Sequence, residues 1–325
     1  MKPLDDRSAA GAAGADPSAR RAAIEERAPS AFSIGLPQWA NDAWRGSLYR
    51  RGGRDHLRQY SEVWTAVEGN TTFYSLPSAR TVESWRQATP PTFRFVFKLP
   101  RSLTHDALLQ NAAGPLDLFF ERLDPLGPRV GTTMAQLPPF FGPDRLGDLE
   151  RFLIRWPSGR PLAVELRHRA FFDLPRAATR ADDLLRSHGA ERVMLDAHAV
   201  WEGDLEHPAV ATARHPKPRL PIRATPLGRH PILRFIAHPE PATTLPRLDR
   251  WAERLAQWIG EGLRPTAFVH CPVDRRAPEL ARRLHQLVAA RTPLGPLPAW
   301  PGEREARAGQ MTLPSLGLSS DAQDG

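Results

Sequence analysis

The chain has 325 residues, of which 41% are hydrophobic and 25% charged, so a sizeable core is affordable. No run of ~18 apolar residues marks a membrane span, and a single cysteine, Cys271, excludes an intramolecular disulfide or a multi-cysteine metal centre. The net charge is +8, and of 44 basic residues only Lys2, Lys98 and Lys217 are lysines. GC-rich coding produces such an arginine excess, so much of it is compositional drift, although a basic body also attracts anions and nucleic acid.

Residues 1–30 are small and mixed in charge, without an apolar block of signal-peptide length, and are expected to be a disordered arm. Residues 301–325 read the same way, as a disordered tail. The stretch between them, 31–300, is the length of one (β/α)8 barrel.

That stretch has a beat. Apolar, β-rich runs start near 32 (FSIGL), 64 (WTAVEGN), 93 (FRFVFKL), 130 (VGTTMAQL), 162 (LAVELRH), 192 (RVMLDAH), 231 (PILRFIAH) and 266 (TAFVHCP). The spacing fits strand–helix–strand crossovers, which take about 30 residues. The runs are nearly continuous in apolar character, as in parallel strands covered on both faces. Helices are expected over 55–63, 78–88, 116–123, 144–156, 174–188, 248–259 and 277–290, with Trp and Leu stripes facing the core. After the sixth run the pattern breaks. Residues 205–231 are rich in proline, lack a helical period, and carry Arg214, Lys217, Arg219, Arg223 and Arg229 against Glu206. The expected fold is therefore α/β, a TIM-like (β/α)8 barrel whose sixth helix is replaced by a Pro-rich loop.

In such a barrel the active site is built at the C-terminal ends of the strands. The runs end in Glu68 and Asn70, Lys98 with His105 beyond, Gln136, Glu165 and Arg167, Asp196 and His198, Arg234 and His238, and His270. Charges in apolar strands are costly unless paired, and together they point to one polar cavity. Three carboxylates (Glu68, Glu165, Asp196) face three cations (Lys98, Arg167, Arg234), a balance better suited to metal-free acid–base work than to a divalent ion. Zinc held by His105, His238, His270 and a carboxylate is the metal alternative. No HExxH, phosphate-binding P-loop, dinucleotide fingerprint or nucleophile elbow is present. Cys271 reads as a small buried side chain.

These residues lie in recognisable blocks. IGLPQW with WRGSLY (34–49), VEGNTTFYSLPSARTVESWRQATPPTFRFVFKLPRSLTH (67–105), LGPRVGTTMAQLPPFF (126–141), LAVELRHRAFF (162–172) and MLDAH (194–198) resemble the domain-of-unknown-function 72 family, DUF72. The resemblance covers about 31–290 and implies a TIM-like barrel in a widespread group of bacterial proteins with no established activity. Glu68, Asn70, Phe73, Tyr74, Trp85, Lys98, His105, Gln136, Glu165, Arg167 and Asp196 match the family pattern. Two places depart from it: Arg234-Phe235-Ile236-Ala237 where the family reads R-L-H-G, and His270-Cys271 where it carries paired asparagines.

The expected function is metal-free, hydrolase-like acid–base catalysis on a small anionic or phosphorylated substrate, by a soluble cytoplasmic protein without a cofactor. Glu68, Asn70, His105, Glu165, Asp196 and His270 are the catalytic candidates; Lys98, Gln136, Arg167, Arg234 and Tyr74 are the substrate-binding ones. The alternative is nucleic-acid or nucleotide binding by the barrel mouth and the basic 205–231 loop.

Overall fold

The computed structural model describes residues 31–214 and 217–311; the expected arm, 1–30, and the end of the expected tail, 312–325, lie outside the described residues. Each apolar run coincides with one strand: β1 Ser33–Gly35, β2 Ala66–Gly69, β3 Arg94–Phe97, β4 Thr133–Gln136, β5 Leu162–Glu165, β6 Glu191–Asp196, β7 Ile232–Ile236 and β8 Thr266–His270. All pairings between them are parallel. Six strands form one curled sheet in the order β1-β8-β7-β6-β5-β4, and β2 pairs with β3 in a second. One apolar cluster takes a residue from each of seven strands, Ala66, Val96, Met134, Ala163, Val193, Ile232 and Phe268. The strands therefore enclose a common apolar interior, filled as interiors are, by interdigitated side chains.

The expectation of one unbroken eight-stranded ladder is not met, and the seams show why. Between β1 and β2, side chains stand in for rungs. Ile34 N donates to Thr65 Oγ1 (3.1 Å), Leu36 N donates to the Tyr60 hydroxyl (2.7 Å), and that hydroxyl donates to Ala66 O (3.0 Å). One backbone bond, Glu68 N to Leu36 O at 3.1 Å, crosses directly. Gly35 has no room for a Cβ here, because it would collide with Ala66 O. Between β3 and β4 the contact is reduced to isolated bridges, Phe95 with Val130 and Lys98 with Met134.

The helices are α1 His56–Ser61, α2 Thr71–Tyr74, α3 Ala79–Ala88, α4 Ala113–Leu123, α5 Leu146–Ile154, α6 Ala170–Asp173, α7 Pro175–Ser187, α8 Pro208–Arg214, α9 Pro241–Gly260, α10 Ala277–Ala289 and α11 Pro301–Met311. Ser78 caps α3 as its position suggests, its side chain accepting from Thr81 N. Helix α9 starts seven residues before the expected Leu248 and runs through Pro246. Its added turn is anchored by the Thr244 hydroxyl, which donates to His238 O (2.7 Å) and accepts from His238 N (2.9 Å).

Two expectations about missing helices are corrected. The Pro-rich segment begins with a helix, α8, because Pro208 sits in its first turn, where no amide hydrogen is needed. Residues 217–231 have no helix or strand. The C-terminal stretch is ordered into α11 by a start signal that hydropathy does not show: Pro301 at the first position, and Glu303 reaching back to Trp300 N (3.2 Å). Glu303 also takes a two-pronged ion pair from Arg282 (2.8 and 3.1 Å), whose guanidinium lies 3.4 Å from the centre of the Trp300 ring.

Gly302 presses α11 onto the backbone carbonyls of Ser47 and Tyr49, where a Cβ would collide, whereas one at Gly309 meets open space. Gly302→Ala is therefore expected to cost ~1–3 kcal/mol in urea unfolding, and Gly309→Ala to cause no comparable loss.

Candidate active site

The strand period of two places the site. Two residues beyond the apolar cluster, on the same face of their strands, stand Glu68, Lys98, Gln136, Glu165, Leu195, Arg234 and His270. All but Leu195 are polar, and all but Leu195 are buried. The sequence alternation thus stacks a polar layer on an apolar one towards the C-terminal ends of the strands.

Arg234 is its centre. Its guanidinium is 2% exposed, and each of its nitrogens donates to a carboxylate: Nε to Glu68 Oε2 (2.7 Å), Nη2 to Glu68 Oε1 (2.9 Å) and Nη1 to Glu165 Oε2 (2.5 Å). Glu68 also meets Lys98 Nζ at 3.0 Å and His270 Nε2 at 3.2 Å. Because a carboxylate only accepts, His270 donates through Nε2. Lys98 donates further to Gln136 Oε1 (3.1 Å), and Arg167 Nε to Glu165 Oε1 (2.6 Å).

Burial alone would raise both carboxyl groups, but their partners overcome it: Arg234 and Lys98, with the hydrogen bond from His270, hold Glu68 well below the usual range, and Arg234, Arg167 and Lys98 hold Glu165 at about 2. Burial lowers Lys98 to about 8, with Arg234 adding to the effect and Glu68 opposing it. Burial likewise lowers His270 to about 4, so its ring is neutral near pH 7. His105 is lowered by burial and by Arg101 and Arg167. It sits in a wide helical turn over 102–106, its Nδ1 2.9 Å from Thr104 Oγ1 and its ring edge-on to Phe73. The loop beyond that turn is strained, with Leu108, Leu109 and Asn111 in left-handed conformation at φ 49°, 69° and 51°.

Sequence reasoning missed one member, Lys217. The proline-rich connection brings it within the field of the same layer, where burial, Arg234 and Arg167 lower it to about 8. The available signal was its rarity, one lysine of three in an arginine-rich chain. The layer and its rim then hold four cationic side chains, Lys98, Arg167, Arg234 and Lys217, against two carboxylates.

Other candidates stand elsewhere. Asp196 has the wrong strand parity. It points away from the apolar cluster to the helix layer, where Oδ2 accepts from Trp251 Nε1 of α9 (2.7 Å) and Oδ1 from His198 N (3.0 Å). Asn70 ties two loops together through Pro37 O (2.8 Å), leaving its buried Oδ1 without a hydrogen bond among the described residues. Tyr74 is 80% exposed, edge-on to Phe73, at the rim. Arg234 is committed inward, since each of its nitrogens is already paired with a buried carboxylate. Glu68 and Glu165, ionised and fully engaged, are poor proton carriers. His238 is bound to Asp204 O (3.1 Å), and among the described residues no three His, Cys, Asp or Glu side chains form a metal-ligand group. Burial raises the Cys271 thiol to about 11.

Two cations of the basic 205–231 segment are engaged locally. Arg223 pairs with Asp182 (2.5 Å), which is also paired with Arg192, and Arg214 donates to Leu205 O (3.1 Å). At the opposite, N-terminal ends of the strands lies a cavity of about 710 Å³, lined by Trp64, Phe93, Arg94, His230 and Arg264 among others, and remote from this chemistry.

Two outcomes are expected. Arg234→Met leaves two buried carboxylates facing each other with less compensation, and should cost ~3–5 kcal/mol in urea unfolding. The lowered His270 contributes stability that declines as pH falls from the usual histidine range towards about 4; the lowered Glu165 contributes stability present above the usual carboxylate range and lost as pH falls towards about 2. Unfolding midpoints measured from pH 7 to pH 3 should therefore fall continuously, and Glu165→Gln should flatten the lower part of that curve from a lower start.

Comparisons with known proteins agree with this frame. The model of the family described as "Protein of unknown function DUF72" matches residues 33–303. The chain is 35% identical over 269 residues to UPF0759 protein YecE of Escherichia coli K12, covering 82% of this chain and 97% of that protein. It is 29% identical over 157 residues to UPF0759 protein YunF of Bacillus subtilis, covering 44% and 52% of the two chains. Crystal structures of DUF72 family proteins from Enterococcus faecalis (TM-score 0.61, 16% identity, 79% of this chain and 95% of that one) and Thermotoga maritima (TM-score 0.57, 23% identity, 79% and 98%) share the fold. The curled parallel sheet, the strand-end block of Glu68 to His105, and a match spanning nearly all described residues place this chain in the DUF72 family.

Proposed function

We propose that the two sheets are arcs of one (β/α)8 barrel, and that the protein is an enzyme that binds a small anion at the C-terminal mouth and acts on it by proton transfer. The carrying observation is donor accounting. Arg167 spends only Nε on Glu165, leaving two guanidinium nitrogens, and Lys217 adds a further cation, while both carboxylates of the layer are already committed. A buried site with surplus, pre-oriented donors favours a ligand that brings negative charge. Carboxylate and phosphate groups match a guanidinium fork best.

Within this reading, Glu68 and Glu165 hold the cations in place rather than move protons. Neutral His105, beside the layer, is the proton-transfer group, because burial and the neighbouring Arg101 and Arg167 keep its imidazole free to accept a proton. Gln136 and Lys98 orient the inner end of the ligand.

Inorganic phosphate and citrate, titrated at constant ionic strength, are expected to raise Tm saturably. Arg167→Ala should weaken that binding by about 1.5–3 kcal/mol, as for hydrogen bonds to charged groups. No saturable shift with either anion, or unchanged affinity in Arg167→Ala, would refute the reading.

A further inference from the structure

The polar layer at the strand ends is rich in donors and short of acceptors. Lys98, Arg167 and Arg234 only donate. Glu68 is 0% exposed and its lone pairs are taken: Oε2 accepts from Arg234 Nε (2.7 Å) and His270 Nε2 (3.2 Å), and Oε1 from Arg234 Nη2 (2.9 Å) and Lys98 Nζ (3.0 Å). Glu165 is as deeply buried, with Arg234 on one oxygen and Arg167 on the other. Gln136 Oε1 is held by Lys98 at 3.1 Å.

His270 is the exception, and Glu68 makes it one. A carboxylate so surrounded by donors is ionised and only accepts, so the hydrogen of the neutral ring sits on Nε2. The other nitrogen, Nδ1, then carries a lone pair. It makes no hydrogen bond among the described residues, and it is not one of the polar atoms sealed in without a partner. His270 is the last residue of β8 and its side chain is 11% exposed. Phe268, two residues before it on the same face, belongs to the apolar cluster and closes the inner side. Nδ1 is therefore reached from beyond the strand ends. Burial holds the ring at about 4, so it keeps that lone pair near pH 7.

A row of contacts joins this acceptor to the spare donors of the site. Arg167 bonds Glu165, Glu165 bonds Arg234, Arg234 bonds Glu68, and Glu68 bonds His270. Arg167 stands at one end with nitrogens for an anion, and His270 at the other with a lone pair. A bare anion satisfies the first and leaves the second without a donor, which costs the desolvation of that acceptor. An ammonium on the ligand would donate, but Arg234 and Lys98, bonded to the same Glu68, repel it. A hydroxyl is a donor without charge.

We infer that His270 Nδ1 is the specificity-determining acceptor of the site and receives a hydrogen bond from a ligand hydroxyl, so that the ligands are hydroxylated anions, the class of polyol phosphates and sugar acids. The inference rests on the anion site proposed above and names its substrate class. In this role His270 moves no proton, which stays the task of His105.

Two charge-matched pairs that differ only in hydroxyl groups isolate the contact: glycerol 3-phosphate against propyl phosphate, and glucarate against adipate. Each is titrated by calorimetry at constant ionic strength, first on the unaltered protein, so the comparison needs no variant. The hydroxylated member of at least one pair is expected to bind about tenfold more tightly, the upper range for one hydrogen bond. A preference within the phosphate pair alone assigns polyol phosphates, and one within the carboxylate pair alone assigns sugar acids. His270→Gln, whose amide still donates to Glu68 but which has no Nδ1, should bring each pair to within about twofold and leave the affinity for propyl phosphate and adipate as it was. Equal affinities within both pairs on the unaltered protein, or a preference that survives in His270→Gln, would overturn the inference. If the anions bind in that event, the anion site stands and only the hydroxyl contact falls; if none of the four binds, both fall.

Discussion

A guanidinium 2% exposed, inside a parallel strand, must be neutralised by neighbours, because an unpaired buried charge costs several kcal/mol. Arg234 of β7 meets this requirement with Glu68 of β2 and Glu165 of β5. The requirement then propagates. Glu68 has lone pairs left, which Lys98 and His270 fill; Glu165 has an oxygen left, which Arg167 fills. Each compensation brings in another charge, and the chain of compensation ends only where donors reach the solvent-facing mouth. There, among the described residues, Arg167 has two nitrogens without a partner and Lys217 is paired with no carboxylate. The positive excess at the rim is thus the outer end of a network that starts with one buried arginine.

The same network supplies what the strand ladder lacks. At the β1–β2 seam the rungs are replaced by Thr65 and Tyr60 side chains, and at the β3–β4 seam by isolated bridges. Arg234–Glu68 links a strand of the six-stranded sheet to one of the two-stranded sheet, and Lys98–Gln136 does so again. Glu68 performs both tasks, since its amide makes the one direct backbone bond across the first seam while its carboxylate holds Arg234. Site and architecture are therefore coupled, and a change to Glu68 is felt in both.

How far the sequence revealed this depended on the kind of signal. The strands were legible because continuous apolar runs at a βα period have few other readings. Glu68, Lys98, Gln136, Glu165, Arg234 and His270 were legible because each interrupts such a run. Asp196 was misread because closeness to a strand end was weighed without parity: Val193 lies in the apolar interior, so Leu195 shares its face and Asp196 does not. The role of Arg234 was invisible, because residue type does not tell a cation that binds a ligand from one consumed by two carboxylates. Lys217 was seen as part of a basic loop, and only the folded chain separates it from Arg223, which spends its charge on Asp182. Helix α11 was missed because its start is written in Pro301 and Glu303, while its remaining residues lack an apolar stripe.

The ends of the strands divide the work unequally. The cavity of about 710 Å³ at the N-terminal end offers space, but its chemistry is spent or dispersed. Arg94 donates to the carbonyls of Pro91 and Phe93, and Arg304 is paired with Glu62. His230 and Arg264 lie at the exposed edge. The C-terminal end holds instead titratable groups whose protonation is set by one another. Reactivity needs displaced pKa values and unsatisfied donors more than it needs volume. In parallel α/β folds the strand C-termini also carry the loops free to vary, whereas the opposite end is tied to stability. Chemistry and topology therefore favour the same end for the proposed site.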